Sequence, residues 1–328
     1  MKPTAFVTGA TGFIGMNLVT LLSEHGWEIH ALHRKESNLH YLKRYPVSLH
    51  QGCVTHFSTL LSAIPDNTHT IFHLAGDTSL WSGNNRKQRL INVEGTRNVI
   101  KAAIRKKVPN FIHTSSASAW GEMSGLTISE DLPQLGYRSW VGYERTKWEA
   151  EQVVLSYPED IIRTTILNPT TVTGPFDQNN WGRLFFALRD GTLPGIPDGI
   201  VSVTHVREVA KAHLNAVKKG KHGERYLLSG EDCRFSLFVE TIASLSGVQK
   251  LPRKVPTPLL KAAAYLSLLQ AGFTGKAPDL TPELVKLMTR KDVRYSSQKA
   301  IEQLDYNIVP MEQSVRDTYE WLKSEKLL

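Results

Sequence analysis

The first half of the chain alternates short apolar runs with longer stretches in which hydrophobic residues recur at helical spacing. The apolar runs predict strands at 4–8, 27–33, 47–50, 70–74, 110–114 and 161–167. The clearest helices are predicted at 85–107 and 141–156. Strands that are apolar throughout are buried on both faces, and parallel strands need helical connections of this kind. The pattern therefore predicts an α/β fold built on a doubly wound parallel sheet.

Three glycines where the first strand turns into a helix predict a dinucleotide site. Gly9, Gly12 and Gly15 punctuate the sequence TGATGFIG. The first can adopt a turn closed to other residues, the second lets a pyrophosphate approach the main chain, and the third lets the helix pack close to its strand. The helix amides then point at the anion. We therefore predict a Rossmann-type dinucleotide-binding domain over residues 1–168.

The second half, residues 169–328, reads as a smaller C-terminal substrate-binding lobe, interleaved with the first because a strand near 225–229 returns to the sheet. Residues 176–197 are rich in glycine, proline and aromatics, and we expect a pocket wall and lid there, with core packing as the alternative for Phe185 and Phe186. The apolar segment 258–273 is too short to span a membrane. It is predicted to be a helix capping the substrate cleft, with peripheral membrane contact as an alternative. A last amphipathic helix is predicted at 314–322.

Composition limits the partners that the chain can have. The 328 residues carry a net charge of +8, but the basic residues are scattered, so we expect no nucleic-acid partner. The two cysteines, Cys53 and Cys233, form no CxxC motif, and no histidines cluster with carboxylates at ligand spacing, so no metal is predicted. The N-terminal residues lead into a strand without a signal-peptide pattern, which predicts a cytoplasmic protein.

Arg34 and Lys35 follow the second strand, where a carboxylate would accept hydrogen bonds from the ribose of NAD(H). A guanidinium at this position instead binds the 2′-phosphate of NADP(H) through charge-assisted hydrogen bonds. We therefore favour NADP(H) as the cofactor and keep NAD(H) as an alternative, because two basic residues after a surface strand can also be merely solvated.

Tyr143 and Lys147 are four residues apart and therefore share one helix face. A phenol has a pKa of about 10, and a nearby ammonium lowers it by stabilising the phenolate. Ser116, at the end of the fifth strand, supplies a hydroxyl for the substrate oxygen. Together these three residues predict an acid-base site for carbonyl and hydroxyl chemistry.

Five motifs in this order resemble the extended short-chain dehydrogenase/reductase family, and most closely its dihydroflavonol-4-reductase-like branch. That branch is similar in turn to 3β-hydroxysteroid dehydrogenases and nucleotide-sugar epimerases. The motifs are TGATGFIG at 8–15, INVEGTRN at 91–98, HTSSASAWG at 113–121, YERTK at 143–147 and NPTTVTGP at 168–175.

The resemblance implies a role for each matching residue. Tyr143 would be the catalytic acid/base, Lys147 its pKa partner and ribose anchor, and Ser116 the hydroxyl that polarises the carbonyl. Asn92 would lie near the active site, although a buried asparagine that holds two helices explains it equally well. The implied cofactor-binding residues are Gly9, Thr11, Gly12, Phe13, Ile14, Gly15, Arg34, Lys35, Cys53, Val54, Leu74, Ala75, Gly76, Tyr143, Lys147, Pro169 and Val172.

Two positions depart from the family pattern. Cys53 stands where the family usually has an aspartate that contacts adenine, which predicts that this contact is lost or replaced. Trp120 precedes Gly121 in a stretch where epimerases and dehydratases often have an aromatic residue, and we expect it to alter the substrate pocket.

The leading functional prediction is an NADP(H)-dependent oxidoreductase that interconverts a ketone or aldehyde and an alcohol on a small to medium apolar substrate. Alternatives are a nucleotide-sugar epimerase or dehydratase, and a 3β-hydroxysteroid-dehydrogenase-like enzyme. A redox-sensing protein without catalysis is disfavoured, because such proteins lose the tyrosine or the lysine. The family resemblance also implies a homodimer.

Overall fold

The computed structural model describes residues 2–328. Its twelve strands are β1 (Thr4–Thr8), β2 (Glu28–His33), β3 (Val47–Gln51), β4 (Thr70–His73), β5 (Asn110–Thr114), β6 (Thr127–Ile128), β7 (Arg163–Pro169), β8 (Thr171–Thr173), β9 (Ile200–His205), β10 (Glu224–Leu228), β11 (Glu231–Arg234) and β12 (Arg294–Tyr295). Its helices are α1 (Phe13–Glu24), α2 (Phe57–Ala63), α3 (Asn85–Arg89), α4 (Gly95–Arg105), α5 (Gly142–Leu155), α6 (Arg183–Arg189), α7 (Val206–Lys219), α8 (Phe235–Ser246), α9 (Thr257–Thr274), α10 (Pro282–Met288), α11 (Gln298–Leu304) and α12 (Met311–Ser324).

Seven parallel strands form the central sheet, in the order β10-β7-β5-β4-β1-β2-β3. The chain runs outward from β1 to β3 and then crosses back to β4 on the other side of β1. This reversal leaves a crevice at the carboxyl ends of β1 and β4, which is where open α/β sheets bind their ligands. The predicted Rossmann-type doubly wound sheet is confirmed.

Helices cover both faces of the sheet because its strands are apolar on both sides. In β1, Ala5 and Val7 join a core cluster with α1 and α7, whereas Phe6 points into the opposite cluster with α2, α4 and α5. All five residues of β1 are buried. The strand that carries the glycine turn is thus held on both faces and on both edges.

The helix predicted at 85–107 is interrupted. Between α3 and α4 the chain forms a π-helical turn over Leu90–Glu94, and α4 ends at Arg105. A π turn inserts an extra residue into the helical repeat, and such turns are frequent at functional sites. Asn92 lies inside this turn.

A second, three-stranded sheet in the order β11-β9-β8 supports the lobe built from later residues. Against it pack α6, α8 and α12, with Phe185, Phe235 and Phe238 almost fully buried. Trp181 packs edge-on against both of the last two rings. Phe185 and Trp181, expected in a pocket wall, therefore belong to this core, which was the alternative for Phe185.

The predicted apolar helix is α9, which packs on α10. Its buried residues are Leu260, Ala264 and Ala271. Within residues 2–328, no helix combines the length and hydrophobicity that a membrane crossing requires.

The two parts of the chain interleave. β10 pairs with β7 at the edge of the central sheet, with Tyr226 opposite Leu167. Helix α7 packs on α1, and Leu304 and Tyr306 near α11 enter the same core cluster. Residues well beyond 168 thus contribute to the sheet that carries the glycine turn.

Candidate active site

The glycine turn after β1 is closely packed against the end of β4. Gly9 has a φ of +73°, and a Cβ there would lie 2.7 Å from the Ala75 nitrogen and from the Leu74 carbonyl carbon. A Cβ on Gly15 would overlap the Gly9 carbonyl oxygen. Both positions thus admit only glycine without rearrangement, for the reasons predicted from the sequence.

The N-terminus of α1 offers backbone amides to an anion. Gly12 is its N-cap and supplies no capping side chain, and the first turn contains no acidic residue. Phe13 and Ile14 are anchored by packing on the core cluster, so the first-turn backbone is fixed. Thr11, Gly12, Phe13 and Ile14 are therefore brought together where a pyrophosphate would lie, and the residues fit a dinucleotide.

The next two strands end beside this turn. Arg34 and Lys35 are exposed just after β2, and Cys53 is half-buried after the neighbouring strand β3. The Cys53 amide donates a hydrogen bond to Thr59 Oγ1 at 3.1 Å, which fixes the backbone where adenine would be contacted. Val54 is buried against Gly95, where a Cβ would lie 2.9 Å from Val54 Cγ2.

Gly76 connects the cofactor crevice to the predicted catalytic residues. A Cβ built on Gly76 would lie 3.4 Å from Asn92 Oδ1 and 3.6 Å from Lys147 Nζ. The segment Leu74–Gly76 therefore lies between the glycine turn on one side and the Lys147 ammonium on the other.

The three predicted catalytic groups lie together. Lys147 Nζ is 5.8 Å from the centre of the Tyr143 ring and donates to the Thr114 carbonyl at 3.0 Å. Ser116 follows two residues later, and its Oγ accepts from the Ser118 amide at 3.1 Å. The Ser116 hydroxyl also forms a hydrogen bond with the Tyr143 phenol, so the two hydroxyls face each other.

Protonation of this site differs from the sequence prediction. Burial raises the pKa of Tyr143, the Ser116 hydroxyl opposes that shift, and the Asp77 carboxylate adds to it. Burial also lowers the pKa of Lys147 to about 8, against the opposing effect of Glu151. The net shift of the Tyr143 pKa is therefore upward and not the downward shift expected from a nearby ammonium, because removal from water dominates the pKa of both groups.

Asn92 acts as a bridge. Its Oδ1 accepts from the Asp77 amide at 2.7 Å, and its Nδ2 donates to the Asp77 carbonyl at 3.0 Å and to Thr146 Oγ1 at 3.1 Å. These contacts tie the loop after β4 to α5, the helix that carries Tyr143. The structure thus gives Asn92 the helix-holding contacts that were the alternative to an active-site role.

The end of β7 supports the serine. Asn168 Nδ2 donates to the Ser116 carbonyl at 3.1 Å and to Glu151 Oε1 at 2.6 Å. Pro169 ends the strand, and the Val172 side chain enters the core with 8% exposure. Only the backbone of these two residues is thus left to face a cofactor.

Two carboxylates missed by sequence reasoning anchor α5, and both are fully buried. Glu151 pairs with Arg225 at 2.6 Å, and Glu144 pairs with Arg290 and, at 3.4 Å, with Lys286. Their partners are 74 or more residues away in the chain, so no local spacing indicates them. Only their positions in the sequence could have indicated them, since Glu144 follows Tyr143 directly and Glu151 lies one helical turn after Lys147.

Three buried histidines lie behind the site. His73 sits between Thr8 Oγ1 at 2.7 Å and Thr96 Oγ1 at 2.9 Å, and burial lowers its pKa to about 3. Burial lowers the pKa of His213 to about 4. His113 stacks on His73, with ring centres 5.4 Å apart, and neither of its ring nitrogens has a hydrogen-bond partner. All three are therefore neutral at physiological pH.

A cavity of about 1130 Å³ opens between α9, α10 and the loop before α5. Trp140 and Tyr265 supply aromatic walls, and Lys286 and Arg290 link the cavity to Glu144, the neighbour of Tyr143. Trp120 does not take part: it is completely buried and donates to the Leu132 carbonyl at 3.2 Å. The expectation that Trp120 shapes the pocket is therefore wrong, because its indole packs inside a core cluster.

Comparison with known proteins finds a family match over residues 5–229, to the NAD dependent epimerase/dehydratase family. A Synechocystis protein named for dihydroflavonol 4-reductase is 27% identical and covers 99% of this chain and 96% of its own. A ketoreductase of Stigmatella aurantiaca, named for 4-hydroxy-2-methyl-3-oxo-4-farnesyl-3,4-dihydroquinoline-1-oxide, is 27% identical over 92% of this chain and 91% of its own.

Among solved structures, the crystal structure of gox2253 matches with a TM-score of 0.84 and 30% identity, and covers 99% of both chains. Family match and structural match both extend across the glycine turn, the Ser116 loop and α5. The chain therefore belongs to the NAD dependent epimerase/dehydratase family of extended short-chain dehydrogenases/reductases, as its motifs predicted.

Proposed function

We propose that this enzyme is an NADP(H)-dependent oxidoreductase that interconverts a ketone or aldehyde and an alcohol on a small to medium apolar substrate. The observation that carries the proposal is the convergence of Ser116, Tyr143 and Lys147, with the Lys147 ammonium beside Gly76 in the segment that packs on the glycine turn. A phenol, an ammonium and a hydroxyl in this arrangement suit proton transfer to and from a carbonyl oxygen.

Each residue has a distinct task in the proposed reaction. The glycine turn and the α1 amides would hold NADP(H), and the bound cofactor would supply or accept the hydride. Ser116 donates a hydrogen bond to the substrate oxygen and so polarises the carbonyl. Tyr143 delivers its proton to that oxygen during reduction and removes it during oxidation. Lys147, fixed by the Thr114 carbonyl, positions the cofactor ribose and favours the phenolate.

Preference for NADP(H) rests on Arg34 and Lys35. Both side chains are exposed at the end of β2, next to the proposed adenosine site. Across residues 2–328, no carboxylate lies within ion-pair distance of either, so their charges are not already neutralised. A 2′-phosphate would supply the missing negative charge.

Apolar character of the substrate is supported by the curated relatives. Two of them are named for a flavonol-type ketone and a farnesylated quinoline, and both match almost the full length of the chain. The cavity that Lys286 and Arg290 connect to Glu144 also has aromatic walls, Trp140 and Tyr265, which suit a ring system.

The alternative, a nucleotide-sugar epimerase or dehydratase, is favoured by the charge of the same cavity. Two acidic residues line it, against six basic ones that would attract a diphosphate. The basic residues are Arg234, Lys254, Lys261, Lys286, Arg290 and Lys291. A 3β-hydroxysteroid-dehydrogenase-like activity is compatible with the same residues and is a special case of the main proposal.

Cofactor binding and substrate class are tested in sequence. Fluorescence titration with NADPH and NADH comes first, followed by turnover on a carbonyl panel and on a nucleotide-sugar panel. The Tyr143→Phe variant should bind NADPH almost normally and lose about two or more orders of magnitude in turnover. Full activity of this variant, or turnover confined to nucleotide sugars, would overturn the proposal.

We further propose a cytoplasmic homodimer, with the helical segment that carries Asn92 and the helix α5 that carries Tyr143 in the interface. In this region the exposed Arg89, at the end of α3, pairs with the half-buried Glu149 on α5, with Arg89 Nε 2.8 Å from Glu149 Oε2. Light scattering on the purified protein tests the dimer.

A further inference from the structure

The outward face of α9 is apolar and unpartnered. Leu259, Leu266, Leu269 and Phe273 are between 61% and 92% exposed. Together with Ala262 they recur at intervals of three and four residues, so they form one stripe along the helix. The buried residues Leu260, Ala264 and Ala271 project from the opposite side. A helix that is apolar on both sides but buried on only one leaves a surface that needs an occupant.

Charge around this stripe identifies the occupant. Residues 241–278 contain five basic residues and no acidic residue. All five are exposed, and none lies within ion-pair distance of a carboxylate in residues 2–328. They are Lys250, Arg253, Lys254, Lys261 and Lys276. A leucine stripe bordered by uncompensated cations matches a bilayer, whose acyl region accepts the apolar side chains while anionic headgroups meet the charges.

We propose that α9 and its basic flanks form a membrane-docking surface for anionic bilayers. The helix lies in the headgroup plane and does not cross the membrane, as its length and composition require. A second copy of the chain is the weaker occupant, because a twofold contact through α9 would bring five cations against five.

The docking surface adjoins the cavity described above. Thr257, Pro258, Lys261 and Tyr265 of α9 line that cavity, whereas no residue of the stripe does. The same helix thus contributes residues to the protein cavity and an exposed apolar stripe available to lipid. This proposal does not rest on the proposed catalytic function, since binding to vesicles requires neither cofactor nor turnover.

Vesicle flotation with the full-length protein tests the proposal. One set of vesicles is phosphatidylcholine alone and the other contains about 30% phosphatidylglycerol, both at about 0.1 M salt. We expect binding to the anionic vesicles, weakened at high salt. Failure of the unmodified protein to float with anionic vesicles would overturn the proposal.

Two variants separate the apolar and the electrostatic contributions. Leu266→Ser/Leu269→Ser/Phe273→Ser should lower partitioning about tenfold or more, because the substituted side chains are exposed and the fold does not depend on them. Lys250→Gln/Arg253→Gln/Lys254→Gln should lower partitioning to anionic vesicles about tenfold and reduce the salt dependence.

Matched controls lie on other surfaces. Ile161→Ser/Leu237→Ser/Ile308→Ser removes three apolar side chains of about half exposure, and Lys218→Gln/Lys323→Gln/Lys326→Gln removes three exposed cations. Neither should change partitioning. Unchanged vesicle binding by the stripe variant would refute the proposal. The proposal would also be refuted if light scattering showed that the stripe variant is a monomer and the unmodified protein a dimer that does not bind vesicles.

Discussion

Glu151 lies one helical turn beyond Lys147 on α5, and its carboxylate is the group that favours the Lys147 ammonium in a buried site. That carboxylate is itself fully buried, paired with Arg225 at 2.6 Å and hydrogen-bonded by Asn168 at 2.6 Å. The position of a proposed catalytic charge is thus coupled to an ion pair on the edge strand β10.

Neutralising Glu151 should narrow the pH range of activity. In Glu151→Gln the pKa of Lys147, already lowered to about 8, should fall further because the opposing effect is lost. The alkaline limb of the kcat/KM profile should therefore move to lower pH. Glu144→Gln is the matched control, since Glu144 is equally buried on the same helix but pairs with Lys286 and Arg290. It should cost stability and leave the alkaline limb in place; equal shifts in both variants would contradict the assignment.

Neutralising Asp77 should shift the acid limb of the pH profile for alcohol oxidation. The Asp77 carboxylate raises the pKa of Tyr143, so Asp77→Asn should lower it. Alcohol oxidation needs the deprotonated phenol, and its acid limb should then move to lower pH. Asparagine keeps an acceptor for the Ser79 amide, which Asp77 Oδ1 now binds at 2.8 Å. The exposed Asp66→Asn change serves as the control, and an unmoved limb in the Asp77 variant would count against the electrostatic role.

Cofactor preference should depend on Arg34. Arg34→Asp replaces a cation by an anion where the 2′-phosphate is proposed to bind, so we expect NADPH affinity to fall roughly 100-fold relative to NADH. The measurement is the ratio of the two dissociation constants. Arg86→Asp makes the same charge change at an exposed site on α3 and should leave the ratio unaltered. An Arg34 variant that still prefers NADPH would show that other groups read the phosphate.

His113 should limit stability in mild acid. Burial holds its pKa well below the ordinary value of 6.5, so the folded protein keeps it neutral while the unfolded chain takes up a proton below about pH 6.5. Stability is therefore lost as the pH falls below 6.5. His113→Leu removes this loss and two unpartnered nitrogens, and should gain about 1–3 kcal/mol in urea unfolding at pH 5.

The control for that experiment is the stacked neighbour. His73→Leu also removes a buried histidine, but it leaves the Thr8 and Thr96 hydroxyls, which hydrogen-bond to its ring nitrogens, without these partners. It should therefore destabilise the protein at pH 7. A His113 variant that behaves like the His73 variant would mean that an ordered water satisfies His113.

Features set by local spacing could be predicted from the sequence. The turn at Gly9 to Gly15 and the Tyr143–Lys147 helix face depend on neighbours within four to six residues, and the structure reproduces both geometries. The doubly wound parallel sheet could also be predicted, because right-handed crossovers leave few ways to connect alternating strands and helices.

Features that depend on partners far along the chain could not be predicted from the sequence. The buried ion pairs of Glu144 and Glu151 depend on residues far along the chain. The sequence around Trp120 does not distinguish an indole that faces a pocket from one that is buried in a core. The wrong direction expected for the Tyr143 pKa has the same origin. The sequence spacing shows that a charge is near the phenol, whereas the depth of burial, which raises the pKa, is a property of the whole fold.

The π turn at Leu90–Glu94 makes the spacing of this region intolerant of length changes. Deleting one residue would restore a regular helix but rotate everything before it by about 100° relative to α4. The Asn92 amide would then lose register with the Asp77 loop or with Thr146. Point substitutions along the exposed side of this helix are therefore expected to be better tolerated than any single insertion or deletion.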